Sequence, residues 1–301
     1  MKKVVVIGAN SYIARNVICV LKRDYDYEIK MYDYAKNQKD GEQNYSQINI
    51  LDRNSVSQID FNSDIVFMFV RKSGTADGFD EFNTFIDINE KSLLTVLNEM
   101  RRQQSKAKII FPSTRLVYKG SKFPLKEDSE KEFRTIYAIN KFACEAMLNQ
   151  YHNIFDIDYC VFRICIPYGT LIKDASAYGT AEFMLNRARQ GKNILLYGGG
   201  SQRRTLTYME DLCKALIEGA INDKCQNDIF NIGGEVLSLF EMASLLASIY
   251  GVQVENIVWP EISQKIESGD TVFDSSKFDR LNLVSYRMKF SDWCLTQKGQ
   301  E

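Results

Sequence analysis

The strongest constraint on the fold is a recurrence of short apolar runs rich in Val, Ile, Phe and Tyr. They fall at Val4 to Ile7, Ile29 to Tyr32, Ile48 to Ile50, Ile65 to Val70, Ile109 to Phe111 and Tyr159 to Ile164. Between most of them lie segments with helical periodicity. A strand that is apolar on both faces needs cover on both sides, and βαβ units around a parallel sheet supply it. The expected class is therefore α/β, a doubly wound parallel sheet with a smaller C-terminal lobe. A chain of 301 residues with 45% hydrophobic content can bury both units. The sheet domain is expected over 1–166, rejoined by about 205–248, with 167–204 and 249–301 forming the lobe.

In such sheets ligands bind beyond the carboxyl ends of the strands, so the residues following each run carry the functional expectations. After Ile7 comes Gly8-Ala9-Asn10-Ser11-Tyr12-Ile13-Ala14, then a helical pattern through Val17, Cys19, Val20 and Leu21. A glycine-led turn into a helix presents N–H groups and a positive dipole end to a phosphate. Asp33 closes the second run at the distance where an acid binds an adenosine ribose diol. A carboxylate there repels a 2′-phosphate and favours NAD over NADP, although Lys36 and Lys39 stand nearby. The plain alternative is a surface Asp at a strand end. Asp52 could accept from an adenine amino group or cap a helix beginning near Asn54. Phe69-Val70-Arg71-Lys72 ends the fourth run with two cations, which either reach phosphate or coat a loop. Asn89, in the helical segment from Phe82 through Met100, is buried if its face holds Phe85, Ile88 and Leu93. Ser113-Thr114 places two hydroxyls after the fifth run, as a turn or at the reacting edge.

The stretch Arg134 to Tyr151, RTIYAINKFACEAMLNQY, puts Tyr137 and Lys141 one helical turn apart, with Cys144 and Leu148 on the same face. A unit charge at ~4 Å with an effective dielectric of ~20 is worth up to ~4 kcal/mol. That would bring a phenol toward ionisation near neutral pH. By itself Tyr-x-x-x-Lys is also an ordinary helix-surface pattern.

Charge and composition exclude several classes. Lys plus Arg (38) and Asp plus Glu (39) nearly cancel, so no bulk field draws a nucleic acid or an anionic membrane. The apolar runs are too short to span a bilayer, and an apolar strand begins by Val4 with no room for a signal sequence; the expected location is cytoplasmic. Seven irregularly spaced cysteines without a C-x-x-C read as reduced thiols, Cys144 as a buried structural one. With His152 the single histidine, no multi-His metal site is expected, and a Ser-His-Asp triad would need His152 as its base.

Together, Gly8-x-x-x-x-x-Ala14, Asp33, Asp52, Asn89, Ser113-Thr114 with Val117-Tyr118, and Tyr137-x-x-x-Lys141 resemble an extended short-chain dehydrogenase/reductase of the NAD-dependent epimerase/dehydratase group. The likeness continues through Arg163, Tyr168-Gly169, the stretch from Tyr197 to Asp211 with its glycine turn and Arg204, and Asn231-Ile-Gly-Gly234. The resemblance implies a Rossmann fold, NAD, a nucleotide-diphosphate sugar as substrate and a homodimer through paired helices. It implies Thr114 on the reacting sugar hydroxyl, Tyr137 as acid/base, Lys141 on the nicotinamide ribose, and Arg204 on the diphosphate. Four departures stand out: Ser11 at the second turn glycine, Val70-Arg71 for two small residues, Ile166 for a substrate-contacting Asn, and Lys119 for the glycine after Val-Tyr. Arg115-Leu116 replaces the Asp-Glu pair of the sugar dehydratases, so epimerisation through a 4-keto sugar is expected over elimination. A nucleotide-sugar ketoreductase and a silent dinucleotide sensor are the alternatives.

Overall fold

The computed structural model describes residues 1–172 and 179–298. Its main sheet is built from β1 (Lys2–Ile7), β2 (Tyr27–Asp33), β3 (Tyr45–Gln47), β4 (Ile65–Met68), β5 (Lys108–Thr114), β6 (Tyr159–Ile164) and, after an excursion, β10 (Asp228–Asn231). The excursion contains β7 (Ile166–Tyr168), β8 (Ile194–Tyr197) and β9 (Arg203–Tyr208); β11 (Glu235–Ser238) and β12 (Val254–Ile257) come later. The seven main strands run parallel in the order β10-β6-β5-β4-β1-β2-β3.

Alternation along the strands makes two cores. Val4 and Val6 point toward helices Tyr12–Asp24 and Met209–Ile221, in a cluster that also holds Val17, Leu212 and Leu216. Val5 and Ile7 point to the other face, where Leu93, Val96 and Leu97 of helix Ser92–Arg102 and Leu148 of helix Ile136–Phe155 pack. The sheet order reverses between β1 and β4, opening the crevice where ligands of such sheets bind.

The smaller unit has a β11-β9-β7 sheet and a β12-β8 pair. Its core joins Tyr168, Leu185, Leu196, Leu206, Leu246 and Trp293. The segment expected to return to the sheet domain therefore divides. Met209–Ile221 and β10 do return, whereas β9, β11 and helix Leu239–Tyr250 pack in the lobe. Phe278, expected in the lobe, packs in the sheet-domain core. The third strand also lies earlier than expected. Ile48 and Ile50 are buried in the core, but the ladder is carried by Tyr45–Gln47 and ends as Ile48 N–H donates to Asp33 O at 2.8 Å. Among the described residues no helix is long and apolar enough to cross a membrane.

Candidate active site

The first βα turn is fixed by backbone geometry. Gly8 has φ +82°, and a Cβ there would lie 2.8 Å from Phe69 C and Val70 N, so only glycine lets the turn approach β4 this closely. The N–H groups of Gly8 and Ala9 both donate to Tyr32 O. Asp33 Oδ2 accepts from Asn10 N–H at 2.9 Å, tying the turn to the end of β2. Asn10 braces the next loop, donating to Asn37 O and accepting from Lys39 N–H. Ser11 precedes helix Tyr12–Asp24 with extended backbone, and its Oγ is buried without a hydrogen-bond partner while the residue lines the adjoining cleft. An orphaned hydroxyl at a helix N-terminus is a ready donor to a pyrophosphate oxygen. The residues present therefore fit a dinucleotide, and the Ser11 departure adds a donor.

Tyr137 sits in the first turn of helix Ile136–Phe155, whose N-cap Thr135 accepts from Ala138 N–H at 3.1 Å. One turn on, Lys141 is 2% exposed and its Nζ donates to Pro112 O at 2.8 Å. That ammonium lies 4.1 Å from the Phe111 ring centroid and 6.0 Å from that of Tyr137. Burial pushes Lys141 down to about 8; Cys144 and Glu145 oppose the shift and the Arg71 guanidinium adds to it. Thr114 ends β5, and its Oγ1 accepts from Leu116 N–H at 3.2 Å, leaving the O–H free to donate. Tyr137, Thr114, Ser11, Tyr12, Ile13 and Phe69 line one cleft of roughly 450 Å³, with Arg71 and Arg115 on its wall. That volume is in the ordinary range of a small-molecule site, roughly 300–1,000 Å³.

Several expected residues act from behind the cleft. Asn89 lies in a π-turn, Asp87–Lys91, and uses its amide to accept from Lys72 N–H at 2.9 Å and donate to Lys72 O at 3.0 Å. It holds the loop after β4 and does not line the cleft. Asp52 caps the turn Arg53–Val56, accepting from Asn54 N–H at 3.0 Å. Val70 packs against the sheet-domain core. Arg204 is 1% exposed and bonded to Arg203 O, Gly269 O and Glu267 Oε1, so its donors are largely spent inside the protein. Cys144 is fully buried, its thiol pushed up to about 12 by burial. His152 lies fifteen residues beyond Tyr137 on the same helix, about 22 Å along its axis, beside Asp158.

A buried network not anticipated from sequence supports helix Ile136–Phe155. Glu145, two turns beyond Tyr137, accepts from Arg163 Nε at 3.0 Å and Nη2 at 2.5 Å, and from the Ser113 hydroxyl. Arg163 Nη1 donates to Tyr118 Oη at 2.6 Å, and Tyr118 donates to Asn231 Oδ1 at 2.7 Å. The helix, β5, β6 and β10 are thus locked together beneath Thr114. Spacing could have flagged Glu145, four residues after Lys141. Among the described residues no cluster of three or more His, Cys, Asp or Glu could hold a metal.

This fold and site define a class. Residues 4–233 match the model of the NAD dependent epimerase/dehydratase family, and the chain belongs to that family, whose cofactor is NAD. Among its relatives, it is 30% identical over 194 residues to a UDP-N-acetyl-alpha-D-glucosaminuronate decarboxylase of Bacillus cytotoxicus, covering 62% of this chain and 59% of that protein. It is 22% identical over 257 residues to a UDP-glucuronate 4-epimerase of Thermodesulfobacterium geofontis, covering 80% and 77%. The fold matches the X-ray structure of Pal from Bacillus thuringiensis with a TM-score of 0.88 at 20% identity, covering 99% and 100% of the two chains. It matches a Bacillus cereus UDP-glucuronic acid 4-epimerase, in complex with UDP-glucuronic acid and NAD, with a TM-score of 0.85 at 21% identity, covering 97% and 96%. The chain spans less than two thirds of the length of the first relative named.

Proposed function

We propose that the protein is a cytoplasmic nucleotide-sugar epimerase acting at C4 of the sugar through a transient 4-keto intermediate. The observation that carries this reading is the convergence of Tyr137 and Thr114 on one cleft bordered by the Ser11 turn, with Lys141 fastened to Pro112 O one helical turn behind Tyr137. Gly8, Ser11, Tyr12 and Ile13 would hold the pyrophosphate end of NAD, Asp33 the adenosine ribose, and Phe69 and Arg71 the nicotinamide side. NAD, when bound, supplies the acceptor for a hydride from the sugar carbon and its source on return.

Tyr137 takes the C4 hydroxyl proton onto its phenolate oxygen and gives it back after the ketone has turned over. Thr114 donates its free hydroxyl hydrogen to the same sugar oxygen and fixes its position. Lys141, fastened to Pro112 O, sets a positive charge beside the Tyr137 ring. General-base assistance of this kind contributes about 10²–10⁴ in rate, and most of the remainder comes from orientation. A homodimer through helices Phe82–Ile86 and Ile136–Phe155 accounts for the exposed Phe82, Ile86 and Ile139 on those surfaces.

Replacing Tyr137 by Phe should lower nucleotide-sugar turnover by about 10²–10⁴ while NAD, released by heat and identified by mass spectrometry, remains bound. Unchanged turnover in Tyr137→Phe sinks the catalytic assignment. Turnover requiring stoichiometric NADPH, read at the dinucleotide absorbance, converts the reading to a ketoreductase.

A further inference from the structure

We propose that Arg115 receives an oxyanion of the bound nucleotide sugar, at the seam where two clefts meet. The inference rests on the nucleotide-sugar reading and names the residue that recognises the substrate's charge. Arg115 directly follows Thr114 and opens the short turn Arg115–Val117. It lines the cleft of Tyr137 and Thr114, and also a second cleft of roughly 320 Å³ lined by Phe183, Tyr197, Arg204, Trp259 and Glu267. Tyr197 and Trp259 pack with ring centroids 5.1 Å apart and planes tilted by 30°, so one side of the seam is hydroxylic and the other aromatic.

The charges at the seam do not balance. Arg204 and Arg115 lie there with Glu267, whose Oε1 is 2.7 Å from Arg204 Nη2. Among the described residues Arg115 makes one long hydrogen bond, from Nη1 to Thr271 Oγ1 at 3.3 Å, out of five possible donors. Burial, with the Arg204 charge adding to it, pushes Arg115 down to about 10, so it stays cationic at neutral pH. A half-buried cation whose one described partner is weak gains from an anion that joins it. The planar fork of donors suits a phosphate or a carboxylate, and Arg115 lines both clefts. Arg204, the residue expected on the diphosphate from sequence, is committed to internal acceptors, which leaves this role to Arg115. A nucleotide sugar offers two such oxyanions: its diphosphate and, in a uronate, the sugar carboxylate.

The test uses full-length NAD-loaded protein, wild type, Arg115→Met and Arg115→Lys. Each is titrated calorimetrically with ADP, CDP, GDP, TDP and UDP, and turnover is measured with UDP-glucose and UDP-glucuronate. If the diphosphate is the ligand group, Arg115→Met weakens the nucleoside diphosphate that wild type binds by roughly 10- to 100-fold. Arg115→Lys then recovers part of the loss, and the salt dependence of binding flattens in Arg115→Met. If the carboxylate is the group, diphosphate binding is unchanged and kcat/KM falls only for UDP-glucuronate. Either result supports the assignment. It is overturned if Arg115→Met behaves as wild type toward all ligands, if Arg115→Lys recovers nothing, or if no nucleoside diphosphate binds wild type. Absence of epimerase turnover alone defeats the proposed reaction but leaves the calorimetric result standing, so the two failures are distinguishable.

Discussion

At the residue scale, Lys141 embodies a conflict between function and stability. Its Nζ is enclosed by Pro112 O, the Phe111 ring and the Tyr137 ring, and burial lowers its pKa to about 8 from an ordinary 10.5. Between those values the unfolded chain holds a proton that the folded chain does not, so stability rises with pH through this window. Below pH 8 both states are protonated and the folded state carries the full penalty, roughly 3–4 kcal/mol. Lys141→Met should therefore raise the melting temperature at pH 7, with the gain shrinking by pH 10. Turnover of the wild type should decline above about pH 8 as the ammonium beside Tyr137 is lost. A melting temperature for Lys141→Met that is lower than wild type at pH 7 and insensitive to pH contradicts this account.

At the element scale, helix Ile136–Phe155 is oriented by the Glu145–Arg163 pair, in which both side chains are 2% exposed. Removing one partner strands a buried charge, which typically costs about 3–5 kcal/mol. Arg163→Met should lose that much in a denaturant titration, while Arg163→Met with Glu145→Gln recovers part of it by neutralising the orphaned carboxylate. Equal losses in the single and double variants count against a paired role. This brace also marks where sequence reading stops. The strand–helix alternation, the Gly8 turn and the one-turn spacing of Tyr137 and Lys141 were readable because each is local in sequence. Arg163 and Glu145, eighteen residues apart on a strand and a helix, meet only after β5 and β6 pair. Ile48 to Ile50 mimics a strand because burial and ladder pairing leave the same apolar trace; Asn44, with φ +61°, and Asp33 O decide which residues pair. Arg204 reads as a ligand residue beside a glycine turn, but Glu267, distant in sequence, claims it.

At the scale of the whole molecule, two units with separate cores meet along the cleft, and hydrogen bonds link them near the Gly8 turn. Tyr12 Oη donates to Gly169 O, and Leu171 N–H donates to Asn16 Oδ1 at 2.7 Å, so helix Tyr12–Asp24 is bonded directly to the segment that follows β7. A ligand that fills the Ser11 turn completes hydrogen bonds that the protein alone leaves open. Bound to the native state only, it stabilises by mass action, about 2.7 kcal/mol at one hundred times its dissociation constant. With about 2.1 cal/mol/K of unfolding entropy per residue, that corresponds to a rise of roughly 4 °C for this chain. Stripping NAD should lower the melting temperature by at least that amount, and re-adding it should restore the loss. NADP should restore less at equal concentration, because its 2′-phosphate meets the Asp33 carboxylate. Gly8→Ala should remove the NAD response as well as some intrinsic stability, since its Cβ would press on Phe69 and Val70 backbone at 2.8 Å. Equal shifts with NAD and NADP in wild type would show that Asp33 does not sit against the adenosine ribose, and a full NAD shift in Gly8→Ala would remove the turn from the cofactor site.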